Sequence, residues 1–136
     1  VVLITTAYNE EIGSFADLDG KTTTNTITSS YAAVAEEYGA TVLGANTFEE
    51  TISLVLQGRA DGTVNSLGSY NDYMSVHPET QLKVVDSFVS YAAVPLKKGE
   101  ATASLLEAIN KAMAELKAEG VLTELSVKFF GEDISG

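Results

Sequence analysis

The amino-acid sequence predicts an α/β fold, with a mostly parallel sheet flanked by helices and a C-terminal helical hairpin. Two observations carry this prediction. In the first two thirds of the chain, short β-branched runs alternate with helical segments, which is the pattern of βαβ crossovers. From Ala101 onward the pattern is helical alone, with apolar residues spaced three and four apart.

The individual elements follow from local signals. Threonine-rich and β-branched runs such as KTTTNTI at residues 21–27 favour strands. Helices end at Gly39, Gly58 and Gly120, and Thr47 opens one of them with the spacing of a capping box. In chain order, the sequence predicts strands at residues 1–6, 21–27, 41–44, 62–65, 82–85 and 90–95, and helices at about residues 14–18, 31–38, 47–57, 69–76, 101–119 and 122–130.

Composition limits the classes of function. The chain has 136 residues, long enough for one domain with a core, and its 45% hydrophobic content is typical of a globular protein. A formal net charge of −11 repels nucleic-acid backbones and anionic membranes, so neither is an expected partner. The chain contains no cysteine, which excludes disulfides and thiolate chemistry.

No catalytic or metal-binding pattern is found in the sequence. His77 is the single histidine, and it precedes a proline in a polar loop without a partner constellation. The chain has no GxSxG turn, no glycine-rich phosphate loop and no metal-ligand spacing. We therefore expect no enzyme activity, no cofactor and no metal.

The segment Thr28-Ser29-Ser30-Tyr31 lies between a predicted strand and the helix that follows it. Unpaired N–H groups and the helix dipole favour negative charge at a helix start. Because the turn has no basic residue, a small carboxylate suits it better than a polyphosphate. Serine and threonine are also ordinary N-cap residues, so the sequence leaves capping and anion binding both open.

Asn65 and Ser66 follow another predicted strand. Ligands of open α/β sheets bind outside the carboxyl ends of strands, so these residues and the first turn are placed to form one polar rim. The sequence Asn-Ser-Leu-Gly is equally typical of a simple turn. Both interpretations remain open on this evidence.

Four segments occur in an order that resembles a known family. They are FADLDGK at residues 15–21, the hydroxyl-rich turn at residues 28–31, GRADG at residues 58–62, and residues 120–133, which begin with GVL and end with FFGED. Over essentially all its length the chain resembles the polar-amino-acid-binding proteins of ABC importers, which have the type II periplasmic-binding-protein fold. The resemblance is strongest to the cystine and glutamine-type subgroup.

The resemblance implies that the chain is one lobe of a two-lobed protein. Residues 1–96 are expected to form the second (C-terminal) lobe, with hinge strands at residues 1–6 and 91–95. Residues 97–136 are expected to be helices that pack on the first lobe. The chain is then incomplete, and its start inside a strand-like run points the same way.

The resemblance also implies roles for the polar rim. In this family the helix-start turn binds the ligand's α-carboxylate, and Thr28, Ser29 and Ser30 hold that position, with Thr26 near the ligand's side chain. The family usually pairs an aspartate with the α-ammonium, and Ser66 stands at that place. A neutral serine cannot supply the charge-assisted bond, worth about 1.5–3 kcal/mol, so the ligand stays open. The candidate ligand-binding residues are Thr26, Thr28, Ser29, Ser30, Tyr31, Asn65 and Ser66.

The expected function is that of an extracytoplasmic solute-binding component of an ABC importer, periplasmic or anchored to the cell surface as a lipoprotein. It would hold a small polar amino acid or related carboxylate between two lobes, close about a hinge, and deliver the ligand to a permease. The alternative is a surface lipoprotein or adhesin of the same fold that acts as a protein-interaction module. The apolar stripe of the C-terminal helices further predicts a homodimer of the chain as it stands.

Overall fold

A computed structural model describes residues 1–136. The chain forms two compact units, Val1–Ser90 and Tyr91–Gly136. The first unit contains strands β1 (Val2–Thr6), β2 (Thr22–Thr26), β3 (Thr41–Ala45), β4 (Thr63–Asn65) and β5 (Leu82–Ser87), a 3₁₀ helix (Phe15–Leu18), and helices α1 (Ser30–Glu37), α2 (Phe48–Leu56) and α3 (Leu67–Val76). The second unit contains α4 (Glu100–Ala118) and α5 (Val121–Phe130).

The strands are arranged in the order β3-β2-β4-β1-β5. The β2–β3 pair is parallel, and β1 pairs antiparallel with both β4 and β5. A parallel bridge between Thr23 and Gly62 joins β2 to β4, supported by a 3.0 Å hydrogen bond from Thr24 N–H to the Gly62 carbonyl. Four strands therefore run in one direction, which confirms the prediction of an α/β fold, and β1 alone runs against them.

The sheet is covered on both faces, as its alternating pattern requires. On one face Leu3 and Val64 join a buried cluster with Phe15, Leu18 and Ala35, the last of which lies on α1. On the other face the cluster of buried residues comprises Val2, Ile4, Ile52, Val55, Ala60 and Leu82, with α3 side chains packed against it. Because helices bury both faces, the polar ends of the strands are the part of the sheet left open to ligands.

Two element predictions were wrong. Residues 90–95 form no strand; they are exposed and have no ladder partner, since β5 already ends at Ser87. Their valine, tyrosine and alanine content favours a strand only where a neighbouring strand supplies hydrogen bonds. Helix α3 begins at Leu67 rather than at Ser69, because Ser66 caps it and Gly68 lies buried in its first turn.

The second unit consists of two helices whose predicted apolar stripe stays exposed. Gly120 and Gly131 adopt the left-handed conformation that ends a helix. No residue of α4 is buried, and Ser126 is the single buried residue of α5. The exposed apolar side chains are Leu105, Leu106, Met113, Leu125, Val127, Phe129 and Phe130.

Buried threonine hydroxyls give a stability prediction. Thr63 Oγ1 is buried without a hydrogen-bond partner, whereas Thr51 Oγ1 donates to the Phe48 carbonyl at 2.7 Å. Thr63→Val should raise the free energy of unfolding by about 1 kcal/mol, because it removes an unsatisfied polar group while keeping the β-branched shape. Thr51→Val, the matched control, should lower it by about 1 kcal/mol. Urea unfolding of the two variants checks this, and a loss of stability in both would contradict it.

The carboxylate of Asp17 gives a pH prediction. Its Oδ2 accepts hydrogen bonds from Gly13 N–H at 3.0 Å and from Ser14 N–H at 2.8 Å. The Gly13 N–H and then the Ser14 hydroxyl hold the pKa of Asp17 below its ordinary value. A carboxyl with a lowered folded-state pKa stabilises the fold above its unfolded pKa, and this is lost as the pH falls through the folded pKa.

Asp17→Asn should therefore lower the free energy of unfolding at pH 7. Its effect should be smaller near pH 2, which lies below the ordinary aspartate pKa of about 3.9. Urea midpoints at the two pH values measure the difference. Glu10→Gln is the control, since the Glu10 carboxylate accepts no hydrogen bond within the chain. An Asp17→Asn protein with the same acid dependence as the native protein would contradict the prediction.

Candidate site at the ends of two neighbouring strands

The carboxyl ends of β2 and β4 lie side by side. Asn25 Nδ2 donates to the Val64 carbonyl at 2.7 Å, and Asn25 is only 1% exposed. The next residue of each strand is the last one, Thr26 in β2 and Asn65 in β4. Since β2 and β4 run parallel, the two following helices begin at the same edge of the sheet. The structure thus brings the two predicted halves of the rim together.

The first helix start is built from Thr26 to Ala32. Ser29 is the N-cap of α1, and its Oγ accepts from Tyr31 N–H at 3.1 Å. The Ser29 N–H donates to the Thr26 carbonyl at 2.9 Å, which closes the turn. The N–H groups of Thr28 and Ser30 donate to no acceptor in the chain. Capping and anion binding are therefore compatible, because the cap uses one N–H group and leaves others open.

Tyr31 differs from its neighbours in the candidate set. Its side chain is half-buried and packs against the cluster formed by Leu3, Phe15 and Ala35. Thr28 and Ser30 are exposed, and Thr26 and Ser29 are half-buried. The Thr28 and Ser30 side chains are thus more exposed than that of the tyrosine.

The second helix start is capped in the same way. Ser66 Oγ accepts from Ser69 N–H at 3.0 Å and shares a 2.8 Å hydrogen bond with Ser69 Oγ. Asn65 Oδ1 accepts from Ser66 N–H at 2.8 Å. The N–H groups of Leu67 and Gly68 donate to no acceptor in the chain. Asn65 and Ser66 therefore open a helix and do not form a simple turn.

Neither helix start carries a charged side chain. Residues 26–31 and 65–69 contain no acidic or basic residue. The end of β3 is one strand away, and the first turn of α2 beyond it carries two acids, Glu49 and Glu50. Glu50 Oε2 accepts from Asn46 N–H at 2.8 Å and from Asn46 Nδ2 at 3.0 Å. Thr47 caps α2 as predicted, although Glu50 reaches Asn46 instead of the Thr47 backbone. The α1 and α3 starts are therefore neutral and offer N–H donors, whereas the α2 start beside them is acidic.

Sequence reasoning missed two residues that build this edge. Asn25 connects β2 to β4, and Ser69 shares a hydrogen bond with Ser66. An asparagine in the middle of a threonine-rich strand is unusual, because asparagine is depleted in strands. The asparagine at a strand position was the available signal for Asn25. The role of Ser69 depends on where α3 begins.

Outside this edge the structure shows little that resembles a reactive centre. No group of three or more histidine, aspartate or glutamate side chains is placed to hold a metal ion. The His77 ring lies against the Tyr73 ring, with centroids 4.6 Å apart. None of the helices combines the length and apolar character that crossing a bilayer requires.

Comparison with known proteins defines the class. No protein-family model matches the chain. The chain is 30% identical over 134 residues to the L-cystine-binding protein TcyA of Bacillus subtilis, which covers 98% of this chain and 50% of TcyA. It superposes on the unliganded open L-cystine solute receptor of Neisseria gonorrhoeae with a TM-score of 0.69, 30% identity, and coverage of 99% of this chain and 57% of the receptor. An ancestral arginine-binding protein bound to arginine gives a TM-score of 0.69 and 27% identity, with coverage of 95% of this chain and 59% of that protein.

The fold is therefore that of one lobe of a type II periplasmic-binding protein. The chain is a homologue of the amino-acid-binding proteins of ABC transporters, and it spans about half the length of the curated relatives it matches. These relatives are named as solute-binding proteins, in agreement with the expectation that the chain is not an enzyme.

Proposed function

We propose that this chain is the second lobe of an extracytoplasmic solute-binding component of an ABC importer. The ligand is a small polar amino acid or a related carboxylate. The observation that carries the proposal is the pair of helix starts at one sheet edge, each with N–H groups that no acceptor in the chain uses. The homology to amino-acid-binding proteins supports the same class of ligand.

The proposed ligand contacts are divided between the two helix starts. The ligand's carboxylate accepts hydrogen bonds from the Thr28 and Ser30 N–H groups and from the hydroxyls of Thr28, Ser29 and Ser30. The α1 dipole also favours this negative charge. Thr26 contacts the part of the ligand next to that carboxylate. Ser29 also holds the turn in shape through its bond from Tyr31 N–H.

At the other helix start, Asn65 and Ser66 face a second polar group of the ligand. Ser66 fixes the start of α3 by capping Ser69 N–H. The Leu67 and Gly68 N–H groups remain available beside it. The two starts together therefore bind two separate groups of one small molecule.

The transport step follows from a two-lobed arrangement. Residues 1–96 form the ligand-binding lobe with its hinge segments, and residues 97–136 pack on a first lobe that supplies the other half of the ligand contacts. Closure of the lobes about the hinge buries the ligand, and the permease recognises the closed form. No cofactor takes part in this mechanism.

The exposed apolar face of α4 and α5 supports one more proposal. Phe129 is 66% exposed, and Met113, Leu122 and Leu125 line an open apolar groove of about 340 Å³. Apolar patches of this kind are usually covered by a partner. We propose that this chain by itself forms a homodimer through α4 and α5. Light scattering across a concentration series tests this, and a monomer at the highest concentration would contradict it.

Calorimetric titration of the natural full-length protein against polar amino acids tests the main proposal. We expect saturable heat with a Kd of about micromolar, near −8 kcal/mol, for at least one of them. Ser53→Ala, on the exposed side of α2, is a control that should bind like the native protein. Absence of saturable heat for every amino acid and related carboxylate would overturn the proposed function.

A further inference from the structure

The strands of the first unit form two groups that meet along one seam, the line of contact between β2 and β4. One group is the parallel pair β2–β3, and the other is the three-stranded group β4-β1-β5. The seam contains a single ladder bridge, from Thr23 to Gly62, and the Thr24 N–H donates to the Gly62 carbonyl at 3.0 Å. One bridge fixes the seam at its middle, so other contacts must hold its two ends.

Side chains hold both ends of the seam. At the amino end, Asp61 Oδ2 accepts from Thr22 N–H at 2.8 Å, and the Asp61 N–H donates to the Thr22 carbonyl at 2.7 Å. At the carboxyl end, Asn25 Nδ2 donates to the Val64 carbonyl at 2.7 Å. The Asn25 contact lies one residue before each strand ends, next to the starts of α1 and α3.

Asn25 is a costly residue for the stability of the fold. It is buried inside a strand, where asparagine is depleted. Its Oδ1 has no hydrogen-bond partner, and a buried polar atom without a partner lowers stability. A valine would suit both the burial and the strand. Residues that break a local rule in this way are expected at positions that function requires.

We infer that Asn25 is a positioning residue for the proposed ligand site: its bond to the Val64 carbonyl holds the carboxyl ends of β2 and β4 at the separation that binding requires. The inference rests on the proposed function, which divides the ligand contacts between residues that follow β2 and residues that follow β4. Binding groups must be held within about 0.5 Å of their productive geometry. Asn25 itself does not touch the ligand, because its side chain is buried.

Asn25→Val in the natural full-length protein tests this role by calorimetric titration. The probe is whichever of L-cystine, L-arginine and L-glutamine the native protein binds most tightly. We expect the affinity of the variant to fall about tenfold, because the two strand ends lose their fixed separation. Its urea midpoint should stay unchanged or rise, because the substitution also removes the unpaired Oδ1 and adds a good strand former.

Asp61→Ala is the matched control, since it loosens the opposite end of the same seam. It removes the acceptor of the Thr22 N–H, so the urea midpoint should fall. The affinity for the same probe should stay within about twofold of the native value, because the strand ends that bind the ligand are distant from the change. The two variants should therefore separate affinity from stability in opposite ways.

A second measurement needs no ligand. Residual dipolar couplings of the backbone amides report the orientation of α1 relative to α3. We expect this orientation to change in Asn25→Val and to remain native in Asp61→Ala. The comparison isolates the carboxyl end of the seam, since both variants lose one side-chain hydrogen bond across it.

The possible failures are distinguishable. A folded Asn25→Val protein with native affinity overturns the inference, and so does a native orientation of α1 and α3 in that variant. An equal loss of affinity in Asp61→Ala also overturns it, because Asn25 would then contribute only to general stability. If the native protein gives no saturable heat with any amino acid or related carboxylate, the proposed function is overturned. The dipolar couplings still decide in that case whether Asn25 fixes the two strand ends.

Discussion

Replacing Ser30 with proline should weaken ligand binding about tenfold to a hundredfold while the fold stays intact. Ser30 is the first residue of α1, where proline is tolerated because that N–H makes no bond within the helix. The preceding Ser29 has φ −79° and ψ 134°, the extended conformation that a residue before proline requires. The substitution therefore removes the Ser30 N–H and hydroxyl, both proposed to bind the ligand, and should leave the helix in place.

Ser30→Ala is the matched control for this prediction. It removes the same hydroxyl but keeps the N–H, so the difference between the two variants isolates the backbone donor. Calorimetric titration of both with the tightest-binding carboxylate ligand gives the comparison, and urea unfolding confirms that Ser30→Pro is folded. Equal affinities for the two variants would show that the Ser30 N–H does not bind the ligand.

Replacing Gly62 with alanine should lower the free energy of unfolding by about 1–3 kcal/mol. A Cβ at this position would lie 2.8 Å from the Ile4 carbonyl oxygen and 3.4 Å from Thr5 Cγ2. The clash is with the backbone of β1, which cannot move aside without disturbing the sheet. Gly62 also accepts the Thr24 N–H bond that joins β2 to β4, so the two helix starts should lose their relative position as well.

Gly13→Ala is the control for the Gly62 substitution. Its added Cβ would meet only Asp17 Oδ2, at an ordinary contact distance of 3.8 Å. We expect a change within about 0.5 kcal/mol in urea unfolding. If Gly62→Ala were as mild as Gly13→Ala, the close approach of β4 and β1 would not be the constraint that the structure indicates.

The start of α1 was predictable from the sequence because its signals are local. A threonine-rich strand, a serine cap and Gly39 lie within 20 residues, and the helix bounds agree with the prediction to within one residue. The start of α3 was placed two residues late. Gly68 reads as a turn residue in the sequence, but it is buried in the first turn of the helix, where a small residue fits.

Long-range pairing accounts for what the sequence did not show. The bond from Asn25 to the Val64 carbonyl spans 39 residues, so nothing near Asn25 reveals its partner. Residues 90–95 have strand composition but no strand to pair with, and composition cannot report a missing partner. The antiparallel direction of β1 likewise depends on which strands flank it. The hydrogen bonds that Ser29 and Ser66 accept from their own helices likewise depend on where α1 and α3 begin.

The central claim is that a small carboxylate binds at the two neighbouring helix starts, and an amide NMR titration of the natural full-length protein tests it most directly. With the tightest-binding carboxylate ligand, we predict that the largest saturable shifts occur at the Thr28, Ser30, Leu67 and Gly68 amides, whose N–H groups have no acceptor in the chain. Saturable shifts confined to other amides, such as those of α4 and α5, with these four unmoved, would contradict the claim.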